Sequence, residues 1–378
     1  MESNLINPNN HSDNNNHNNN NHDNNHNNQD HHNNQDHHNN NNQTNTNEIW
    51  KPDVFILGPG GAKGFLELGL MLKLEQDNYL DRTRIYVGCS VGSCITLLIV
   101  SGYKTSDIIN EYIDFNLLTG ADDINDINLD NLKEKPGILN GNKIEKILNQ
   151  KMENKFGYVP TLDQLFLETG ILSYFVTYNV TKKETVRLSK DNEPNLSCVE
   201  AVLMSMAMPG LICPRIYKGD AYADGAIGDP YPILFLDDNT KKILGVSIDS
   251  DKSISSNNRN PIKYLFNCAQ ASMEELRKLS TKYASNNCKH ISLKTSVMDT
   301  TGLSISIESR RKMIETGYKT ASIFLMRLKN PEKYKVVLDD DEEIPFVDDI
   351  NQNNENMDDE TQELLNLILG KEEEDLFI

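Results

Sequence analysis

Ser90 stands between Gly88 and Gly92 in the segment VGCSVGS, directly after the β-branched and aromatic run Ile85-Tyr86-Val87. A serine hydroxyl is a weak nucleophile until geometry and a base assist it. In a G-x-S-x-G elbow the serine sits on a sharp strand-to-helix turn, and the flanking glycines keep Cβ atoms out of the crowded bend. The helix that follows directs amide N–H groups and a partial positive charge toward the reacting centre. The competing reading is a glycine-rich tight turn before a helix, and the pattern taken alone leaves both open.

Upstream, GPGGAKG (58–64) follows the apolar run Val54-Phe55-Ile56-Leu57. Three chemistries compete for such a loop. A dinucleotide-binding turn wants G-x-G-x-x-G; Gly58 and Gly60 fit, but Lys63 stands where the third glycine belongs. A P-loop ends in Lys-Ser/Thr, whereas Lys63 precedes Gly64. A nest of exposed amides beside Ser90 fits best. Acyl transfer creates an oxyanion, and losing one preorganised donor to it costs about 3–4 kcal/mol. Pro59 has no N–H, so Gly60 and Gly61 are the expected donors, with Ala62 a third. Lys63 is expected to position the loop or to meet an anionic head group.

The base is the harder question. Eight of the nine His residues lie in the first 47 positions, leaving His290 inside the strand-like CKHISLKT, where a packed or edge-strand role is expected. The segment YADGAIGDPYP (222–232) offers Asp224 at a strand end, before a Gly225 that permits close approach. A carboxylate in a partly dry pocket has a raised pKa and can serve as base to a serine within hydrogen-bond reach. An ordinary turn-forming Asp-Gly is the rival reading.

The elements that must position these groups alternate. Strand patterns fall at 54–57, 85–89, 172–180, 241–249 and 289–295. Helical patterns fall at 65–74, 91–100, 142–152, 261–284 and 308–327, with a further one at 197–208 stopped by Pro209-Gly210. Such alternation predicts an α/β layered domain around a largely parallel sheet.

The two ends differ in kind from this body. Residues 1–47 hold 23 Asn and 8 His and are expected to be disordered, with their His residues passive rather than metal-binding. Residues 339–378 hold 16 Asp or Glu against one Lys and form an acidic, largely disordered tail, in which TQELLNLILG has helical spacing. The formal charge of −19 therefore belongs to the ends, and the domain over 48–338 is close to neutral. That balance suits a membrane surface and not nucleic acid, which calls for a basic patch. Six Cys with no CxxC pair and no secretion-type start predict reduced thiols and a cytoplasmic protein. The most apolar run, CITLLIV (94–100), is too short to cross a bilayer, so any membrane contact is peripheral. Oligomeric state is not written in the sequence.

Four motifs occur in a telling order: GPGGAKG, GCSVG, SMAMP (205–209) and DGA (224–226). Together they resemble the patatin-like phospholipase family, and the likeness runs over roughly residues 53–327, including LSYFVTYNVTKKETVRLS between nucleophile and Asp. The resemblance implies a three-layer α/β/α fold with a nucleophile elbow. It implies a Ser90–Asp224 dyad with no metal and no cofactor, and an oxyanion hole of Gly60, Gly61 and Ala62. Gly58, Lys63, Gly64, Gly88, Gly92, Gly225 and Ala226 then support the site. The implied activity is phospholipase A-type hydrolysis of phospholipids or other acyl lipids. Pro59 interrupts the family's glycine run, and DGAIGDPYP departs from its commoner DGG…N-x-P ending. Two other functions fit the same residues: an esterase or thioesterase on soluble acyl substrates, and a non-catalytic lipid-binding protein.

Overall fold

The computed structural model describes residues 49–113, 136–249, 261–294 and 305–330. The chain divides after Asn47, and the described residues all belong to the second unit. The Asn/His-rich and acidic segments lie outside them.

In chain order the first elements are β1 (Val54–Leu57), α1 (Gly64–Gln76), β2 (Ile85–Cys89), α2 (Val91–Val100) and α3 (Thr105–Tyr112). Next come β3 (Gly137–Leu139), α4 (Asn142–Phe156), α5 (Leu162–Thr169), β4 (Leu172–Asn179), β5 (Glu184–Leu188) and α6 (Cys198–Ser205). The chain continues through β6 (Gly210–Ile212), β7 (Arg215–Tyr217), β8 (Asp220–Asp224), β9 (Ile243–Ile248), α7 (Pro261–Tyr283), β10 (Cys288–Leu293) and α8 (Ile307–Lys329).

All four residues of β1 are buried, as in a strand covered on both faces. β1 lies between β2 and β9, parallel to each, in the order β10-β9-β1-β2-β4-β8-β7. The sheet is parallel from β10 to β4, then turns antiparallel through β8 and β7, and β5 pairs with β4 off the main path. Alternate residues face opposite layers. Phe55, Leu57 and Tyr86 join a large core with side chains of α1, α2, α6 and α8. Val54, Ile56, Val87 and Cys89 join a smaller one with Ala226, Tyr231, Ile233 and Met273 of α7. The architecture is the α/β layered domain expected from the alternation, in the three-layer α/β/α form that the resemblance implies.

One expectation needs a correction in length. The helix expected through Met208 ends at Ser205, because Ala207 O accepts the Asp224 N–H at 2.9 Å and the chain leaves the helix to meet β8.

α1 is held from outside by α8. A Cβ built on Gly69 would lie 1.9 Å from Ile314 O, and one on Gly317 would lie 1.9 Å from Leu66 O, so the two backbones touch. This contact sets where α1 begins, and the loop before it inherits that position. Gly317→Ala is expected to push the helices apart at a cost of about 1–3 kcal/mol. Thermal denaturation reads it as a lowered Tm, and an unchanged Tm would contradict the close crossing.

Candidate active site

Ser90 occupies the single residue between β2 and α2, with φ 56° and ψ −125°. An L-residue held there costs about 1–3 kcal/mol and persists only where the surroundings over-determine it. Here they do. The Ser90 N–H donates to Ser205 Oγ at 3.0 Å, and Ser90 O accepts the Ser93 N–H at 2.9 Å. A Cβ on Gly88 would meet Ser93 Cα at 2.5 Å, and one on Gly92 would meet Leu57 O at 2.5 Å. Both glycines of the G-x-S-x-G pattern are therefore places where backbone passes backbone.

Ser205, the last residue of α6, ties the elbow to the sheet. Its Oγ accepts from Ser90 N–H, lies 2.7 Å from Ser93 Oγ, and donates to Val176 O on β4 at 2.5 Å. With Ser93 as donor, every polar atom of this buried group is satisfied. The serine and alanine of SMAMP thus have separate tasks, since Ser205 anchors the elbow while Ala207 O anchors Asp224. The motif was legible in the sequence, but the hub role of Ser205, and that of Ser93, was not. Nothing local marks a serine as the partner of a backbone amide 115 positions away.

Asp224 ends β8 and is fully buried. Its register opposite Thr177 of β4, two strands from Ser90 in the sheet order, is set by an antiparallel pairing. Thr177 Oγ–H reinforces that register by spanning Ala223 O at 2.8 Å and Met204 O at 3.2 Å. Asp224 Oδ2 accepts the Ser90 Oγ–H at 2.6 Å, and Oδ1 accepts the Ala226 N–H at 2.9 Å. Gly225 permits this approach, since a Cβ there would strike Val176 O at 2.2 Å. Burial pushes the Asp224 carboxyl up to about 6, against the pull of the two hydrogen bonds it accepts.

The loop after β1 crosses the elbow. A Cβ on Gly60 would come within 3.5 Å of Val91 Cγ1, and one on Gly92 within 2.6 Å of Gly58 O. The Gly58 N–H is spent on Val246 O at 3.1 Å, Lys63 N–H returns to Gly60 O at 3.0 Å, and Gly64 N–H bonds Gly61 O. The amides of Gly60, Gly61 and Ala62 donate to no acceptor among the described residues. Gly61 is left-handed at φ 53° and exposed, and Ala62 is buried. Lys63 is the residue from which α1 starts.

His290 is elsewhere. It sits on β10, three strands from β2, with Nδ1 2.9 Å from Tyr231 Oη. Desolvation lowers its pKa to about 4, so it is neutral and remote from Ser90. Asp229, just beyond Ala226, is paired with Arg187 at 2.5 Å and fixes the segment that follows Asp224.

Residues 55–237 match the family model described as patatin-like phospholipase. An uncharacterized protein of Acanthamoeba polyphaga mimivirus is 29% identical over 193 residues, which are 50% of this chain and 63% of the relative. A protein of Invertebrate iridescent virus 6 named probable lipid hydrolase is 26% identical over 187 residues, 47% of this chain and 61% of that relative. The chain thus spans less than two thirds of the length of these curated relatives. Among solved structures, VipD from Legionella pneumophila aligns at TM-score 0.46 and 18% identity, over 73% of this chain and 67% of VipD. The type III effector ExoU aligns at 0.41 and 14%, over 74% of this chain and 54% of ExoU.

Two expected outcomes follow from this geometry. Ser205→Ala leaves the Ser90 N–H without its acceptor and is expected to cost about 1–3 kcal/mol, with a lowered Tm and weaker activity together. Full activity in that variant would show that the elbow holds itself. The second concerns Asp224, which titrates at 3.8 in its ordinary state and about 6 when folded. The folded form binds the proton more tightly, so this contribution to stability is whole below about pH 4 and is lost as pH rises through about 6. Asp224→Asn is expected to melt above the wild type at alkaline pH, with the gap closing in acid. A gap that ignores pH would refute the buried, poorly compensated carboxylate.

Proposed function

We propose that the chain, whose residues 55–237 match the patatin-like phospholipase family model, is a lipid acyl hydrolase of phospholipase A type. Ser90 is the nucleophile and Asp224 the general base and acid. The observation that carries this reading is the buried 2.6 Å hydrogen bond from Ser90 Oγ to Asp224 Oδ2, with no imidazole between them.

The cycle uses one carboxylate twice. Ser90 Oγ attacks the ester carbonyl carbon as its proton passes to Asp224 Oδ2. The carbonyl oxygen becomes an oxyanion held by the Gly60 and Gly61 amides, with Ala62 adjoining. Collapse of the tetrahedral species breaks the bond to the glycerol oxygen, which takes the proton from Asp224 and leaves as the lyso-lipid. Water then attacks the acyl-enzyme, giving its proton to Asp224. The second collapse releases the fatty acid and returns the proton to Ser90 Oγ. A pKa of about 6 suits both halves, because a base near the working pH can take a proton and give it back.

A phospholipid substrate implies work at a lipid surface. Among the described residues, no helix is long and apolar enough to cross a membrane. The near-neutral charge of 48–338 supports peripheral contact.

Fatty-acid release from micellar phospholipid by the full chain tests the scheme. Ser90→Ala and Asp224→Asn are each expected to reduce it by on the order of 10³-fold or more. The wild-type rate is expected to fall below about pH 6 as Asp224 protonates. Turnover that is as fast on monomeric esters below the micelle concentration would favour the soluble-esterase reading. Failure of a fluorophosphonate to label Ser90 would favour a non-catalytic lipid binder.

A further inference from the structure

The amide loop leans on β9, the strand beside β1. Leu244, Val246 and Ile248 alternate onto one face of β9 and pack with the large core. Val246 O accepts the Gly58 N–H at 3.1 Å, where the loop begins. Two residues further along the strand, the Ile248 side chain reaches Gly60. A Cβ built on Gly60 would lie 2.3 Å from Ile248 Cδ1 and 3.5 Å from its Cγ1. The same Cβ would meet Val91 Cγ1 at 3.5 Å, and Val91 is the residue that follows Ser90. Gly60 Cα therefore packs into an apolar corner made by Ile248 of β9 and Val91 of α2.

The strand end that carries this corner is firmly held. Ile248 is the last residue of β9, in register with Leu293 of β10. The next residue, Asp249, donates its N–H to Leu293 O at 2.9 Å. Its carboxylate pairs with Arg277 of α7 at 3.0 Å and with Lys294 at 3.4 Å.

The loop depends on such a wall. The amides of Gly60, Gly61 and Ala62 donate to no acceptor among the described residues, so no hydrogen bond of their own sets their direction. Glycine has the widest choice of backbone conformations, and two stand in succession after Pro59. Donors stabilise an oxyanion to the extent that they are already aimed at it, and a displacement of about 1 Å can cost on the order of 100-fold in rate. Resting on the acyl-hydrolase reading, we infer that Ile248 is a positioning residue of the site: its Cδ1 methyl, seated on Gly60 where a Cβ would otherwise stand, fixes the path of the amide loop and so the aim of the Gly60 and Gly61 amides. Ile248 acts through the loop and not on the substrate.

The complementarity of the two residues supplies the test. Ile248→Val deletes Cδ1 alone, and Gly60→Ala adds the methyl that Cδ1 excludes. The full chain, each single variant and the double variant are compared on micellar phospholipid for kcat and KM, and for the rate of fluorophosphonate labelling of Ser90. Thermal melts accompany them, and the kinetics are run well below the lowest Tm. Ile248→Val is expected to lower kcat by about threefold or more with KM unchanged, because the oxyanion is held in the transition state and not in the ground state. Gly60→Ala is expected to lower kcat and labelling by on the order of 100-fold. Adding Ile248→Val is expected to recover about tenfold of that loss, since the remaining neighbours of the new methyl stand at an ordinary 3.5 Å. Should Gly60→Ala fail to fold, Ile248→Val and Ile248→Ala carry the test, with kcat falling in that order at constant KM. Losses that simply add in the double variant, a Gly60→Ala protein at full rate, or Ile248 variants that lower Tm with kcat intact each overturn the inference. A wild type that neither hydrolyses nor labels, while the melts still show Gly60 and Ile248 to be coupled, leaves the contact standing and overturns the acyl-hydrolase reading, and the positioning role with it.

Discussion

The hydrogen bond between Ser90 Oγ and Asp224 Oδ2 joins residues 134 positions apart, in a place where neither could be held cheaply. Ser90 sits in a strained turn, and Asp224 is buried without a cation to pair with. Each makes the other tolerable. The hydroxyl gives the carboxylate one of its two donors, and the carboxylate accepts the one proton the strained serine exposes. Much of the surrounding structure serves to bring a parallel strand end and an antiparallel strand end to the same point.

That constraint accounts for the mixed character of the sheet. A purely parallel sheet would deliver strand C-termini side by side, with each candidate residue on its own loop. Here β8 runs back against β4, so Asp224 arrives from the opposite direction and meets Ser90 across the buried end of β4. The backbone of α6 and the turn after it pin both partners, through Ser205 and Ala207. Misplaced polar groups are costly in such a setting, because a buried donor or acceptor left unpaired forfeits its hydration with no return. Glu67 on α1 is one exception: it is buried with both carboxylate oxygens unpartnered, and desolvation holds its carboxyl above the ordinary carboxylate range.

Much of the frame was legible because each signal was local. The apolar runs 54–57 and 85–89 read as buried strands, and GCSVG read as an elbow because a turn this tight leaves no room for side chains at Gly88 and Gly92. The helix at 197–208 was read too long, because its end depends on a hydrogen bond from Asp224 that periodicity does not contain. The short strands β6 and β7 had no clear alternation of their own. The turn between β7 and β8, with Lys218 and Gly219 both left-handed, lacks the usual Asn-Gly or Asp-Gly signature.

By itself, the sequence determined which residue types were present in which order: a serine between glycines, an amide-rich loop before it, and an aspartate before a glycine where no usable histidine remained. These are properties of a few neighbouring residues, and local sterics and hydrogen-bonding capacity decide them. Only the tertiary structure decided that Ser90 and Asp224 touch, that Ser205 holds the elbow's amide, and that the Glu67 carboxyl is buried without a partner. Those facts depend on register between distant strands and on how deeply water is excluded, and neither quantity exists until the chain has packed.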